Sequence, residues 1–62
     1  MIELNTLYKH YKTGNDYLTL QFCKMQQNNQ WLNAVIYKAS YDDGMVYVRE
    51  LKDFEDKFAK VM

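Results

Sequence analysis

The segment Trp31 to Ser40 constrains this 62-residue chain more than any other, because it is the longest apolar stretch and is apolar on both faces. Strand alternation puts Leu32, Ala34 and Ile36 on one side. Trp31, Val35, Tyr37 and Ala39 fall on the other, interrupted only by Asn33. A strand in a single small sheet ordinarily keeps one wet face, so this one is expected to meet something on each side. One domain at most can be built, since a chain of this size buries only about 60% of the surface it exposes when unfolded. Domains so small usually add a disulfide, a metal or a partner subunit. Lone Cys23 cannot close an intramolecular disulfide. A homodimer is therefore expected, with Trp31 and Val35 as its interface residues.

The rest of the chain reads as short strands and one helix. Residues 7–12 are aromatic and extended in character, and Thr13-Gly14-Asn15-Asp16 is a turn cluster. From Tyr17 to Met25 the sequence alternates. Leu18, Leu20 and Phe22 are expected to share the buried face, with Thr19, Gln21 and Cys23 opposite. Gln26 to Gln30 reads as a polar hairpin loop, Asp42-Asp43-Gly44 as a tight turn, and Met45 to Glu50 as a strand. Leu51, Phe54 and Phe58 then fall on one helical stripe. Four strands followed by a helix predict a mainly β fold with one short C-terminal helix. The expected architecture is a small antiparallel SH3-like barrel, or a strongly curled four- to five-stranded sheet spanning residues 1–62.

Charge and motif content exclude several classes. Eight Lys plus Arg balance eight Asp plus Glu, too few cations for a protein that neutralises a long run of nucleic-acid phosphates. The distribution is uneven, because residues 1–40 carry four cations against two anions and residues 41–56 carry two against six. The chain has no apolar run of about 20 residues to span a membrane, and no signal peptide is expected from its opening residues. A cytoplasmic location with a reduced thiol is expected. One His and one Cys do not make a tetrahedral zinc site, and Ser40 and Cys23 sit in no recognised nucleophile context. Neither catalysis nor a metal or cofactor is expected.

Several of these residues form a recognisable pattern: Tyr8, His10, Tyr11, Lys12, Gly14 and Tyr17; then Val35 or Ile36 before Tyr37; then Tyr41, Asp42, Asp43 and Gly44; then Tyr47, Val48 and Arg49, with Phe54 beyond. In this pattern the chain resembles the small bacterial and phage proteins grouped as domain of unknown function 1653, from Leu7 to about Val61. The resemblance implies a small barrel-like sheet and no established chemistry. Tyr47 stands where Trp is usual in that family, Glu50 stands where Pro usually follows the Arg, and the Gln26–Gln30 connection is longer and more polar than typical.

The aromatics point to binding. Ten of the 62 residues are Phe, Trp or Tyr, more than so small an interior can hold. Tyr8, Tyr11, Tyr37, Tyr41 and Tyr47 flank Lys9, Lys12, Lys38 and Arg49 in sequence, and rings next to cations suit a base and its phosphates, with Lys12 and Arg49 as the expected phosphate contacts. His10 is expected to hydrogen-bond within the same pocket. The ligand-binding candidates are therefore Tyr8, His10, Tyr11, Lys12, Tyr37, Tyr47 and Arg49. The expected function is non-catalytic capture of a small anionic, nucleotide-like ligand; by analogy, this suits a phage sponge that sequesters a host immune nucleotide signal in the host cytoplasm. The alternative is an interaction module that docks on a host or phage protein through exposed aromatics and the acidic helix. Arg49 separates a structural role from a ligand role, since a structural Arg49 pairs with a carboxylate of the helix.

Overall fold

The computed structural model describes residues 1–41 and 44–61; Asp42 and Asp43, expected in a tight turn, lie outside the described residues. The elements are β1 (Leu7–His10), β2 (Asp16–Gln27), β3 (Gln30–Ala39), β4 (Val46–Glu50), α1 (Leu51–Lys57) and β5 (Phe58–Lys60). All pairings are antiparallel, and the strand order is β4-β3-β2-β1-β5. The fold is thus mainly β with one short helix near the C-terminus. Its single sheet is not closed, because β4 and β5 are opposite edges.

β2 and β3 are the longest strands and form one hairpin. Its turn is tighter than the expected five-residue loop. Asn28 and Asn29 take positive φ, 51° and 62°, the two-residue geometry that matches strand twist and that Asn tolerates.

A register shift between Thr19 and Gln21 makes Leu20 an extra residue in β2, which corrects the expected buried face. Directly opposed residues share a face. Tyr17↔Ala39, Thr19↔Tyr37 and Phe22↔Val35 therefore all lie on the core side. Across the bulge the inward set changes from odd to even positions. Tyr17 and Thr19 face the core, and Leu18 does not. Phe22 rejoins the core side beyond the core's edge and stays 46% exposed.

The core is aromatic: Tyr8, Tyr17, Tyr37, Phe54 and Phe58, with Ile2, Val35 and Ala39. Phe54 and Phe58 stack with centroids 4.0 Å apart, and the edges of Tyr8 and Tyr37 meet Phe54. Buried tyrosines are tolerated because each hydroxyl has a partner. The Glu3 amide donates to Tyr8 Oη at 2.9 Å, Tyr17 and Tyr41 share a 2.8 Å hydroxyl–hydroxyl bond, and Arg49 Nε donates to Tyr37 Oη at 3.1 Å. Thr19 is fully buried. Its hydroxyl donates to the Glu3 carbonyl and accepts from the Thr6 amide, tying the N-terminal segment across the core.

The expected helical stripe is shortened. α1 ends at Lys57, and Phe58, expected on the helix, opens β5 with extended backbone. Pairing of β5 with β1, Tyr8↔Lys60 through His10↔Phe58, overrides the helical period there. Leu51 and Phe54 keep the predicted spacing, and Phe54 is the helix residue that reaches the core.

Candidate functional site

Curling brings the two sheet edges near each other without a ladder between them, and side chains bridge the gap. The Arg49 guanidinium of β4 lies over the Phe58 ring of β5, 5.3 Å from its centroid. His10, at the end of β1, meets Phe58 edge-on at 4.7 Å. A cleft of about 170 Å³ opens in this seam, lined by His10, Thr13, Tyr17, Tyr37, Tyr47, Arg49 and Phe58.

Four of the seven ligand candidates meet here. Tyr37 and Tyr47 are register partners on adjacent strands, so their rings share a face and stack 5.6 Å apart at 28°. Tyr37 is buried, and Tyr47 leaves a ring surface at the solvent edge. Arg49 stands two residues along β4 on that face. The seam also draws in Tyr17, Thr13 and Phe58, none of which was a candidate. Tyr17 belonged to the sequence pattern, but reading it as the start of a strand concealed that the strand turns its ring inward.

The other candidates are placed elsewhere. Tyr8 is a core residue with its hydroxyl tied to Glu3, so it is not available to a ligand. Tyr11 and Lys12 sit in the exposed turn after β1 and do not line the cleft. Val35, expected at a dimer interface, is fully buried within the protomer, because its register partner Phe22 and neighbour Tyr37 face the core. Trp31 is 66% exposed near the tip of the β2–β3 hairpin.

His10 Nδ1 accepts from the Lys12 and Thr13 amides at 3.2 and 3.4 Å. In the neutral ring this occupied acceptor leaves the proton on Nε2. Arg49 has internal partners on two sides: Tyr37 through Nε, and Asp53 of α1 through Nη1 at 2.7 Å. The helix carboxylate required by a structural role is therefore in place. The bond to Tyr37, then that to Asp53, raises the Arg49 pKa against its partial burial, keeping it charged. Asp53 also accepts from Lys57 at 2.8 Å. Lys57 first, and Arg49 second, hold its carboxyl below the usual range.

A larger hollow of about 500 Å³ lies toward Met1, Ile2, Phe22 and Leu51 and contains none of the ligand candidates. Its cationic side chain, Lys24, is bonded to Asn33 Oδ1 at 2.6 Å. Its lining is too apolar to select an anion. Among the described residues, no group of three or more His, Cys, Asp or Glu comes together as a metal site, and no helix is long and apolar enough to cross a membrane.

No curated protein matches this chain, and no solved structure does. A family match covers residues 6–61, which include every strand, the helix and the whole lining of the seam. By that match the chain belongs to the family described as protein of unknown function (DUF1653).

Proposed function

We propose that this domain is a non-catalytic binding module that captures a small anionic, nucleotide-like ligand in the seam between its sheet edges. The convergence of Tyr47, stacked on Tyr37, with Arg49 and His10 on one cleft carries this reading. The cleft presents a π face, a guanidinium, an imidazole N–H and a hydroxyl, a set that favours a planar, acceptor-rich group. A whole drug-sized ligand usually fills a pocket of about 300–1,000 Å³. The 170 Å³ seam therefore suits one ring or one phosphate, with the remainder lying across the exposed edge of Tyr47. A module of this kind would sequester its ligand unchanged, as a sponge for a nucleotide signal does.

Asp53 gives the site a built-in competitor, because its carboxylate occupies the guanidinium an incoming anion would seek. Exchange is feasible because Asp53 keeps Lys57 as a second partner. The test is calorimetric titration with mononucleotides and inorganic phosphate, followed by heating and recovery of the nucleotide. Binding is expected, with Tyr47→Ala and Arg49→Gln each weakening it about ten- to hundredfold, the size of a lost charge-assisted contact or stacked ring. Asp53→Asn should tighten it several-fold. No heat and no thermal shift with any of these ligands would remove the ligand class, and recovery of an altered nucleotide would make the protein an enzyme. Trp31, exposed on the hairpin tip, favours the second reading, docking on a host or phage protein. Pull-down of one stoichiometric partner that is lost in Trp31→Ala would support that reading.

A further inference from the structure

The sheet side opposite the core carries a set of aliphatic side chains beside the Lys9–Asp16 ion pair and Gln21. Register pairs Leu7 with Leu18, Met25 with Leu32 and Ile36 with Val48, and places Val46 beside Lys38. Val46 and Val48 are 55% and 52% exposed, Leu7 is also exposed, and the others are half-buried only by their neighbours. α1 contributes Phe54 and Leu51 to the opposite, core side. This is the second face that made Trp31–Ser40 apolar on both sides.

Two charges stand among these side chains, and Lys38 lies between Leu18 and Val46 in its row. Lys38 stands in the row with Val46, and Glu50 in the row with Ala34, with the Ile36–Val48 row midway between them. Neither Lys38 nor Glu50 has an ion pair or side-chain hydrogen bond among the described residues.

From this arrangement we infer that this face packs against the same face of a second copy of this chain. The arrangement is a two-fold, sheet-on-sheet dimer whose axis crosses the strands over the Ile36–Val48 row. Such an axis lays each Lys38–Val46 row on the partner's Ala34–Glu50 row, so each Lys38 reaches the partner's Glu50 and both unpaired charges are satisfied at once. An isologous contact requires this self-complementarity, and sheets stacked at about 10 Å bring long side chains into reach. This dimer does not rest on the seam binding a ligand.

Sedimentation velocity of the ligand-free protein tests it, from about 1 to 100 micromolar. Wild type is expected to dimerise. Ile36→Glu should raise the dissociation constant at least about a hundredfold, and Lys38→Glu or Glu50→Lys alone about tenfold each. The double variant carrying both swaps should return to within about threefold of wild type, since the pair is reversed rather than lost. Val46→Glu, already half in solvent, is a second disruptor should Ile36→Glu fail to fold. Trp31→Ala should leave the dimer intact. A wild-type monomer at the highest concentration, a dimer indifferent to Ile36→Glu and Val46→Glu, a double swap that fails to recover, or open-ended assembly would each overturn the inference.

Discussion

The two faces of this one sheet solve opposite problems. The inner face is aromatic and carries hydroxyls, yet it is closed, because Tyr8, Tyr17, Tyr37 and Thr19 all find partners within the chain. The outer face carries aliphatic side chains, Leu7, Leu18, Ile36, Val46 and Val48, between polar ones such as Lys9, Asp16, Gln21 and Lys38, and much of it faces solvent. Polarity alone would not have told the two faces apart. What decides is whether the polar atoms can be satisfied internally, and the N-terminal segment, Tyr41 and Arg49 supply the bonds that let hydroxyls lie inside.

Phe54→Ala is the largest way to break this contrast. It removes the ring that Tyr8, Tyr37 and Phe58 all contact, at a cost of about 3–5 kcal/mol. A chain of this length has only about 3–9 kcal/mol in total. Loss of a cooperative thermal transition in circular dichroism is the expected readout. A matched pair of valines sharpens the comparison. Val35 is completely buried and Val48 is 52% exposed, on adjacent strands and opposite faces. At concentrations where the chain is monomeric, urea melts should show Val35→Ala costing about 1.5–3 kcal/mol and Val48→Ala less than about 1. Equal costs would mean the outer face is already packed within the protomer.

The charged rim gives the smallest effects. Arg49→Ala should cost about 1–2 kcal/mol, because it removes a partly exposed ion pair, the contact with Phe58 and the partner of the Tyr37 hydroxyl. The pH dependence has a fixed sign. Lys60 holds the Glu3 carboxyl below its ordinary range as Lys57 and Arg49 hold Asp53, so both carboxyls titrate lower folded than unfolded. Their contribution is complete above about pH 5, where the unfolded groups are already ionised, and is lost as pH falls through the folded values. Melting temperature should decline on that acid side, and Asp53→Asn should shallow the decline without abolishing it. Glu3 raises the pKa of Lys60, which adds a loss above about pH 10.5 by the same linkage.

Sequence reasoning reached the fold class and the turn between β1 and β2, because turn chemistry and alternation are local. It misjudged Leu18 and Thr19, because the extra residue at Leu20 leaves no local signature and sets the positions before it on the opposite parity from Phe22 beyond it. It placed Val35 at an interface because both faces of β3 are apolar and only the helix, which packs on one of them, distinguishes the two. Phe58 reads equally well as helix or strand until β1 offers it a ladder. The site was half legible. Tyr37, Tyr47, Arg49 and His10 come together, but Tyr8 was drawn into the core, and Tyr17 and Phe58 entered through a curl that no spacing encodes.

The seam also governs how the molecule breathes. No ladder joins β4 to β5, so parting these edges breaks the Arg49–Phe58 and His10–Phe58 contacts and leaves the backbone pairing of the sheet intact. Amide hydrogen exchange, which reports broken backbone bonds, is blind to such an opening. Ring flipping of Tyr47 and Phe58, followed by NMR lineshape, is where the motion becomes visible. An opening of the seam is thus a motion that exchange protection would score as rigidity.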